Sequence, residues 1–536
     1  MKKRKMDLKL LSTDELKLLW QRAMNKERKQ LASNDYAFYL SYVLGDNYMH
    51  TRHTKLLTDR LQKIADGEKN ARIMISMPPR HSKSETCSKH FPAYYLGKNP
   101  DKEIILVTYG ASLSEDFSRI ARADFKEFAP DLFNLSLSPE KQNVARWEIE
   151  NHRGGCTVSS VGGSLYGRGC SLILADDLLK DFEQASSHNI KEGLWSWYRS
   201  VLRTRLTPDG SIIIIMTRWT IDDICGKLIE DEKHGGEKWE VINLPAISTG
   251  NNDILGRDEG EPLWPEKFNI ETLTSIKSAI GTISWNTLYQ QNPVPYGDMI
   301  FNDKWLKYYK DEDIIYNPSD TIYYFKGEPI ICRYASCDPA VKTGELNDYT
   351  AIVVADITRS KNVLVRKILR KKINIPEQLK TIVSINDIWH PNKFFLEDVG
   401  YQIAIRDIIL GNGEYVPFVA VSRGGKSSKE LRISETSPMF ENGKVFIKDD
   451  MDEFIEEYKL FPSAPHDDTI DALEIILAKV RDLPNFGKAT STTDIQRIKT
   501  KEITVPKSII KFNHFNFQET GSKNLVDTSG NYFKFS

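Results

Sequence analysis

The stretch Ala71 to Glu85, ARIMISMPPRHSKSE, limits what this chain can fold into more than any other. An apolar run from Ile73 to Met77 reads as a buried strand, Pro78 and Pro79 break it, and Arg80-His81-Ser82-Lys83-Ser84 comes next, where a helix can start. Strand, loop and helix N-terminus in that order suit a nucleoside triphosphate. Main-chain amides at the helix start converge on phosphate, a lysine reaches the outer phosphates, and the next hydroxyl holds Mg²⁺. Lys83 and Ser84 fit those two parts, and Arg80 adds a second cation. The usual pattern is G-x-x-x-x-G-K-[ST], and here Met77 and Ser82 stand at the glycine positions. Two prolines also remove two amide donors, so the cradle has to draw on the amides of Arg80 to Ser84. Taken alone, these residues also describe a basic turn between a strand and a helix.

The chain beyond Glu85 narrows that choice. Glu103–Tyr109 (EIILVTY), Cys156–Val161, Ser171–Ala175 (SLILA) and Ser211–Met216 (SIIIIM) read as strands, with a helix over Ser112–Phe128. Continuous apolar runs separated by helices predict a parallel sheet covered on both faces, an α/β nucleotide-binding architecture. The SLILA strand ends in Asp176-Asp177, carboxylates placed to hold Mg²⁺ and orient an attacking water, although strand-end Asp pairs also serve as turn-formers. The glycine-rich loop from Gly162 to Gly169 carries Arg168, either a finger for the γ-phosphate or a solvated surface arginine. Thr217-Arg218 at the end of SIIIIM falls at the crevice where open α/β sheets bind ligands, a pair placed to sense the γ-phosphate.

Between about 248 and 330 the periodicity weakens into a connector with a helix near Ile270–Tyr289, and a second domain begins at Ile331. Its strands Ile331–Cys337, Thr350–Ile357 and Asn362–Leu369 form an antiparallel meander, followed by a helix over Pro376–Trp389 and a strand over Lys393–Leu396. Acids sit at the first strand's end (Asp338), at the fourth strand's end (Glu397) and on a late helix (Asp468, Asp471). The last two lie three apart and share a face. Together they suit two Mg²⁺ or Mn²⁺ ions about 3.5–4 Å apart, the clamp for phosphodiester hydrolysis. Each acid alone reads more readily as a helix cap or a solvated group than as a metal ligand. Basic stretches near this domain, Arg370-Lys371-Lys372 and Arg423–Arg432, suit a DNA backbone or plain solvent.

A net charge of -1 exerts no global pull on nucleic acid, so any such binding has to be local. No apolar run approaches the roughly 20 residues that cross a bilayer. The six cysteines lack metal-site or disulfide spacing and are expected reduced and mostly buried.

Taken together, MPPRHSKSE, GGSLYGRG before LILADD, IIIIMTRW, YQQNPVPYGDMIF, SCDPAVKTGELNDYTA, FFLEDVGYQ and HDDTIDALE, in this order, resemble the large terminase subunit of tailed bacteriophages over about residues 36–482. The resemblance implies an ASCE-type P-loop ATPase domain with a parallel sheet, followed by an RNase H-like nuclease domain. The expected boundaries are a helical arm over 1–35, the ATPase over 36–250, a connector over 251–330, the nuclease over 331–483 and a tail over 484–536. It further implies that Arg80, Ser82, Lys83, Ser84 and Thr217 bind ATP, that Ser84 and Asp176 hold Mg²⁺, and that Asp177, or Glu183 in its place, positions water. In the nuclease, Asp338, Glu397, Asp467, Asp468 and Asp471 would bind Mg²⁺ or Mn²⁺. The implied setting is the host cytoplasm: a ring of subunits docked on the procapsid portal, receiving double-stranded DNA with a small terminase subunit, with no membrane. A cellular helicase-like or repair nuclease with the same modules, and a non-catalytic DNA-binding scaffold, are the competing classes.

Overall fold

The computed structural model describes residues 13–45, 48–165, 167, 169–250, 252–293, 300–339, 349–397, 400–421, 429–464, 466–484 and two short strands at 525–526 and 532–533. The side chains of 13–23, 400–404 and the two short strands are not described. Arg168 and the expected tail beyond Pro484, apart from those strands, lie outside this set. The chain divides into two compact units. The first runs through Asn302 and takes in Gly424–Asn442 and Phe461–Ser463; the second holds the remainder from Asp303 on.

The first unit is built on an eight-stranded sheet. In chain order its strands are β1 (Arg72–Ser76), β2 (Glu103–Thr108), β3 (Leu137–Gln142), β4 (Arg146–Ile149), β5 (Gly155–Ser160), β6 (Cys170–Asp176), β7 (Leu206–Met216) and β8 (Glu240–Asn243). In space they run β3-β4-β5-β2-β6-β7-β1-β8. From β5 to β8 every pairing is parallel, and β3 and β4 add an antiparallel edge. The apolar runs are continuous because both faces are buried. Ile73, Ile75, Leu172, Leu174, Ile213 and Ile215 enter one core with Tyr36, Phe91 and Tyr94. Their alternates Met74, Ile173, Ile212, Ile214 and Met216 enter another with Trp197 and Leu202. Each such side chain contributes roughly 1.5–3 kcal/mol on burial. β1 lies between β7 and β8, so the loop leaving it emerges beside the end of β7, one strand from the end of β6.

The expected connector helix spans Ile270–Ser284 and continues as a π turn over Trp285–Tyr289, with a non-helical kink at Gly281 (φ 78°). Before it, the segment after β8 is pinned by a buried ion pair. Arg257 Nη2 meets Asp253 Oδ2 at 2.7 Å and also donates to the Pro245 carbonyl at 3.0 Å.

The second unit has a nine-stranded sheet. Its strands are β9 (Lys307–Tyr308), β10 (Ile314–Asn317), β11 (Ile322–Phe325), β12 (Glu328–Asp338), β13 (Thr350–Thr358), β14 (Val363–Lys371), β15 (Lys393–Glu397), β16 (Phe418–Val421) and β17 (Val445–Ile447). β12, β13 and β14 form the expected meander, and β15 adds to β12 in parallel. One face, with Ala335, Cys337, Phe394 and Leu396, packs on Ile382, Ile385, Ile405 and Ile409 of the helices Ile375–Trp389 and Gly400–Gly411. On the opposite face the Ser336 hydroxyl donates to the Ala472 carbonyl at 2.6 Å, tying on the helix Asp468–Arg481. All six cysteines are buried, and no disulfide joins them. Among the described residues no helix is long and apolar enough to cross a membrane.

Arg257→Ala leaves Asp253 charged and buried without its partner. We expect a loss of about 3 kcal/mol or more, read as a lower urea midpoint; an unchanged midpoint would mean that the pair does not anchor this segment.

Candidate functional site

The loop after β1 takes its shape from one residue that turns inward. His81 is fully buried. Its ring stacks on Phe268 (centroids 4.5 Å apart, planes 17°), and its Nδ1 donates to the Pro79 carbonyl at 2.8 Å. His53 Nε2 donates to the His81 carbonyl at 3.2 Å. Burial lowers both imidazoles to about 4, so they are neutral at pH 7 and one nitrogen of each carries the donated proton. Driving His81 inward bends the chain on either side of it. Arg80 (φ 62°) and Ser82 (φ 66°) both adopt the left-handed conformation, which costs a residue other than glycine about 1–2 kcal/mol. Ser82 therefore stands at a glycine position in conformation as well as in pattern. The helix opens at Lys83 and passes into a π turn over Glu85–Lys89.

Lys83 reaches across to the ends of β6 and β7. Its Nζ donates to Asp177 Oδ1 at 2.6 Å and to Thr217 Oγ1 at 3.3 Å, and the Thr217 amide donates to the same Asp177 oxygen at 3.3 Å. Asp177 (φ 44°) is stitched to both neighbouring strands: its amide donates to Ile215 O at 2.8 Å, and its carbonyl accepts from Tyr109 N at 3.0 Å. Behind it Asp176 is fully buried. Burial and the charge of Asp177 push its carboxyl up, while Lys83 and the Ser88 hydroxyl, 2.5 Å from Oδ2, pull it down. Its Oδ1 has no hydrogen-bond partner among the described residues. A buried carboxylate oxygen of this kind, close to Ser84, is chemically suited to a hard divalent cation.

These groups, apart from Asp176 buried behind them, open onto a cavity of about 1110 Å³ in the first unit. Arg80, Ser82, Lys83, Ser84, Asp177 and Thr217 all line it. Glu183, on the short helix Phe182–Ser186, does not. Lys180, Trp264, Lys267 and Phe268 also line it, and the sequence alone does not single them out. Lys267 lies 4.6 Å from the Trp264 ring centroid and donates to the Arg80 carbonyl at 3.4 Å. A tryptophan-lysine-phenylalanine cluster within five residues, in a stretch of weak periodicity, is the one signal the sequence offers for them. Behind the helix, His90 is buried between Asp124 (2.6 Å) and Glu85 (3.1 Å). Against the cost of burial these carboxylates hold its imidazole up to about 9, and the bond from His90 is the main reason that Glu85 falls to about 2.

In the second unit strand register places the acids. Cys337 pairs with Leu396 on adjacent parallel strands, so Asp338 and Glu397 come next, side by side. By strand alternation both share the face of Ser336, to which the helix bearing Asp468 and Asp471 is tied through Ala472. Asp338, Glu397, Asp467 and Asp468 are partly buried at the strand and helix ends, and Asp471 is buried. The donor set is all carboxylate oxygen, which suits Mg²⁺ or Mn²⁺. Among the described residues, however, no three His, Cys, Asp or Glu side chains stand closely enough together to hold an ion.

Two family models match the chain: "Terminase large subunit, T4likevirus-type, N-terminal" over residues 74–276 and "Terminase RNaseH-like domain" over 335–479, together more than half its length. No curated protein matches the sequence. Among solved structures, the large terminase of a thermophilic bacteriophage in complex with ADP aligns at a TM-score of 0.41 and 8% identity, covering 81% of this chain and 100% of that one. The HK97 bacteriophage large terminase aligns at 0.30 and 12%, covering 82% and 96%. The large terminase nuclease of the thermophilic phage G20c with bound magnesium aligns at 0.24 and 15%, covering 32% and 91%.

Ser82→Gly removes the left-handed strain at the loop. It is expected to raise the melting temperature by roughly 1–3 °C, after allowing for the extra freedom of glycine in the unfolded chain. A lower melting temperature would show that the Ser82 side chain holds the loop.

Proposed function

The chain belongs to the large terminase subunit family of tailed bacteriophages, viral DNA-packaging ATPases with a nuclease domain, and from that premise we propose how its residues divide the work. ATP enters the cavity of the first unit with its phosphates on the amides of Arg80 to Ser84. Lys83 then exchanges one anion for another, leaving Asp177 for the phosphate. The observation that carries this reading is the Lys83–Asp177–Thr217 contact, made at the strand ends where the cavity opens. Once parted from the lysine, Asp177 accepts a proton from the attacking water and orients it. The broken contact is felt at Thr217, which shares both partners. Ser84 and Asp176 would hold Mg²⁺, which supplies charge neutralisation for the phosphate oxygens. Arg80 and Lys267 add positive charge at the cavity, and Arg168 is the candidate finger, acting from its own chain or a neighbour.

In the second unit Asp338, Glu397 and the acids at 467, 468 and 471 would hold two Mg²⁺ or Mn²⁺ ions, which would supply charge stabilisation for phosphodiester cleavage. The substrate is concatemeric double-stranded DNA, moved through the procapsid portal by a ring of subunits supplied by a small terminase subunit. The work is done in the host cytoplasm.

The test is plasmid cleavage with Mg²⁺ or Mn²⁺ by the wild type and Asp338→Ala, with ATP hydrolysis followed on the same samples. Cleavage is expected to fall about 100-fold or more in the variant while hydrolysis continues. Undiminished cleavage by the variant, or a wild type that neither cuts nor hydrolyses with its partners present, would overturn the proposal.

A further inference from the structure

The helix Asp468–Arg481 begins in a way that its own sequence does not explain. Its N-cap residue is Asp467, a type that ordinarily caps its own helix by accepting from amides two or three residues on. Here the Asp467 side chain makes no capping bond among the described residues. The amides are taken by a distant acid. Glu457, on the helix Asp452–Leu460, accepts through Oε2 from Thr469 N at 2.9 Å and Ile470 N at 3.3 Å, and from the Thr469 hydroxyl. Through Oε1 it accepts from Arg370 Nη1 at 2.9 Å. Glu457 is only 3% exposed, so this carboxylate is a buried, fully engaged group rather than a solvated cap.

Arg370 carries the arrangement onward. Its guanidinium lies 4.1 Å from the Tyr349 ring centroid, and Nε stands 4.0 Å from Asp468 Oδ2. Tyr349 meets His466 edge-on at 4.9 Å between centroids. A cation held between Glu457 and Asp468 offsets the mutual repulsion of carboxylates gathered at one helix start. A capped helix end also fixes the direction in which Asp468 and Asp471 leave it.

We propose that Glu457 is a positioning residue for the metal-binding acids of the second unit: it caps their helix from outside, and it holds Arg370 against Asp468. Neither Glu457 nor Arg370 touches the ions. The proposal rests on the reading of Asp338, Glu397 and the helix acids as metal ligands. Partners of this kind typically change metal affinity 10- to 100-fold when removed. A residue that only stabilised the fold would lower the melting temperature without changing metal affinity in the folded protein.

Mn²⁺ binding to the full chain, measured by calorimetry without nucleotide, tests this. In Glu457→Gln, which keeps an acceptor for the Thr469 amide but not the charge, the dissociation constant is expected to rise about tenfold, with ATP hydrolysis unchanged and Glu457→Asp recovering part of the loss. A folded Glu457→Gln that binds Mn²⁺ like the wild type overturns the proposal. Should that variant fail to fold by circular dichroism, Arg370→Gln takes its place, since it leaves the cap and removes the hold on Asp468. The same tenfold rise supports the proposal, and wild-type affinity overturns it. Asp338→Ala separates the two readings: if it too binds Mn²⁺ like the wild type, it is the metal assignment that has failed.

Discussion

The ion pair between Lys83 and Asp177 is the constraint on which the first unit's site depends. The lysine side chain is 8% exposed, and an ammonium so enclosed is costly unless an anion stands beside it. Asp177 supplies that anion from a backbone fixed on both sides, to β2 through Tyr109 and to β7 through Ile215. On the proposed reading a phosphate brings the same charge to the same lysine, and nucleotide binding would exchange one partner for another rather than create a site from nothing. Thr217 bonds to both members of the pair at the end of β7, an interior strand of the sheet.

The second unit obeys a different constraint, strand register. Asp338 and Glu397 are neighbours because Cys337 pairs with Leu396. A slip of one residue would turn one acid towards Ile382 and Ile385 and away from the other. The apolar alternates Ala335, Cys337, Phe394 and Leu396 make such a slip expensive. The helix acids are placed by the Ser336–Ala472 bond and by the cap from Glu457, so three separate elements meet on one face of the sheet.

Much of this is legible in the sequence, for identifiable reasons. Parallel strands buried on both faces read as unbroken apolar runs, and β1, β2, β6 and β7 fall within a residue or two of those runs, apart from the polar start of β7 at Leu206. β3 (LSPEKQ) and β8 (EVIN) lie at the sheet edges, expose polar residues, and carry no such run. Asp177 and Thr217 are legible as candidates because they stand where an apolar run stops, and Lys83 because it stands where a helix starts after one. The parts played by His81, Trp264 and Lys267 are not. Trp264 and Lys267 reach the cavity, and His81 finds Phe268 to stack on, because the segment after β8 folds back to the loop, which no local pattern encodes. Glu457 is hidden for the same reason, being a cap supplied from another helix. Arg168 lies outside the described residues.

The most direct test of the central claim is a calorimetric titration of Mg²⁺ and ATP into the wild type and Lys83→Ala. The account predicts one nucleotide bound per chain, with affinity falling about 10- to 100-fold in the variant because a charge-assisted contact to phosphate is lost. A wild type that binds no nucleotide, or a variant that binds as tightly as the wild type, would contradict it.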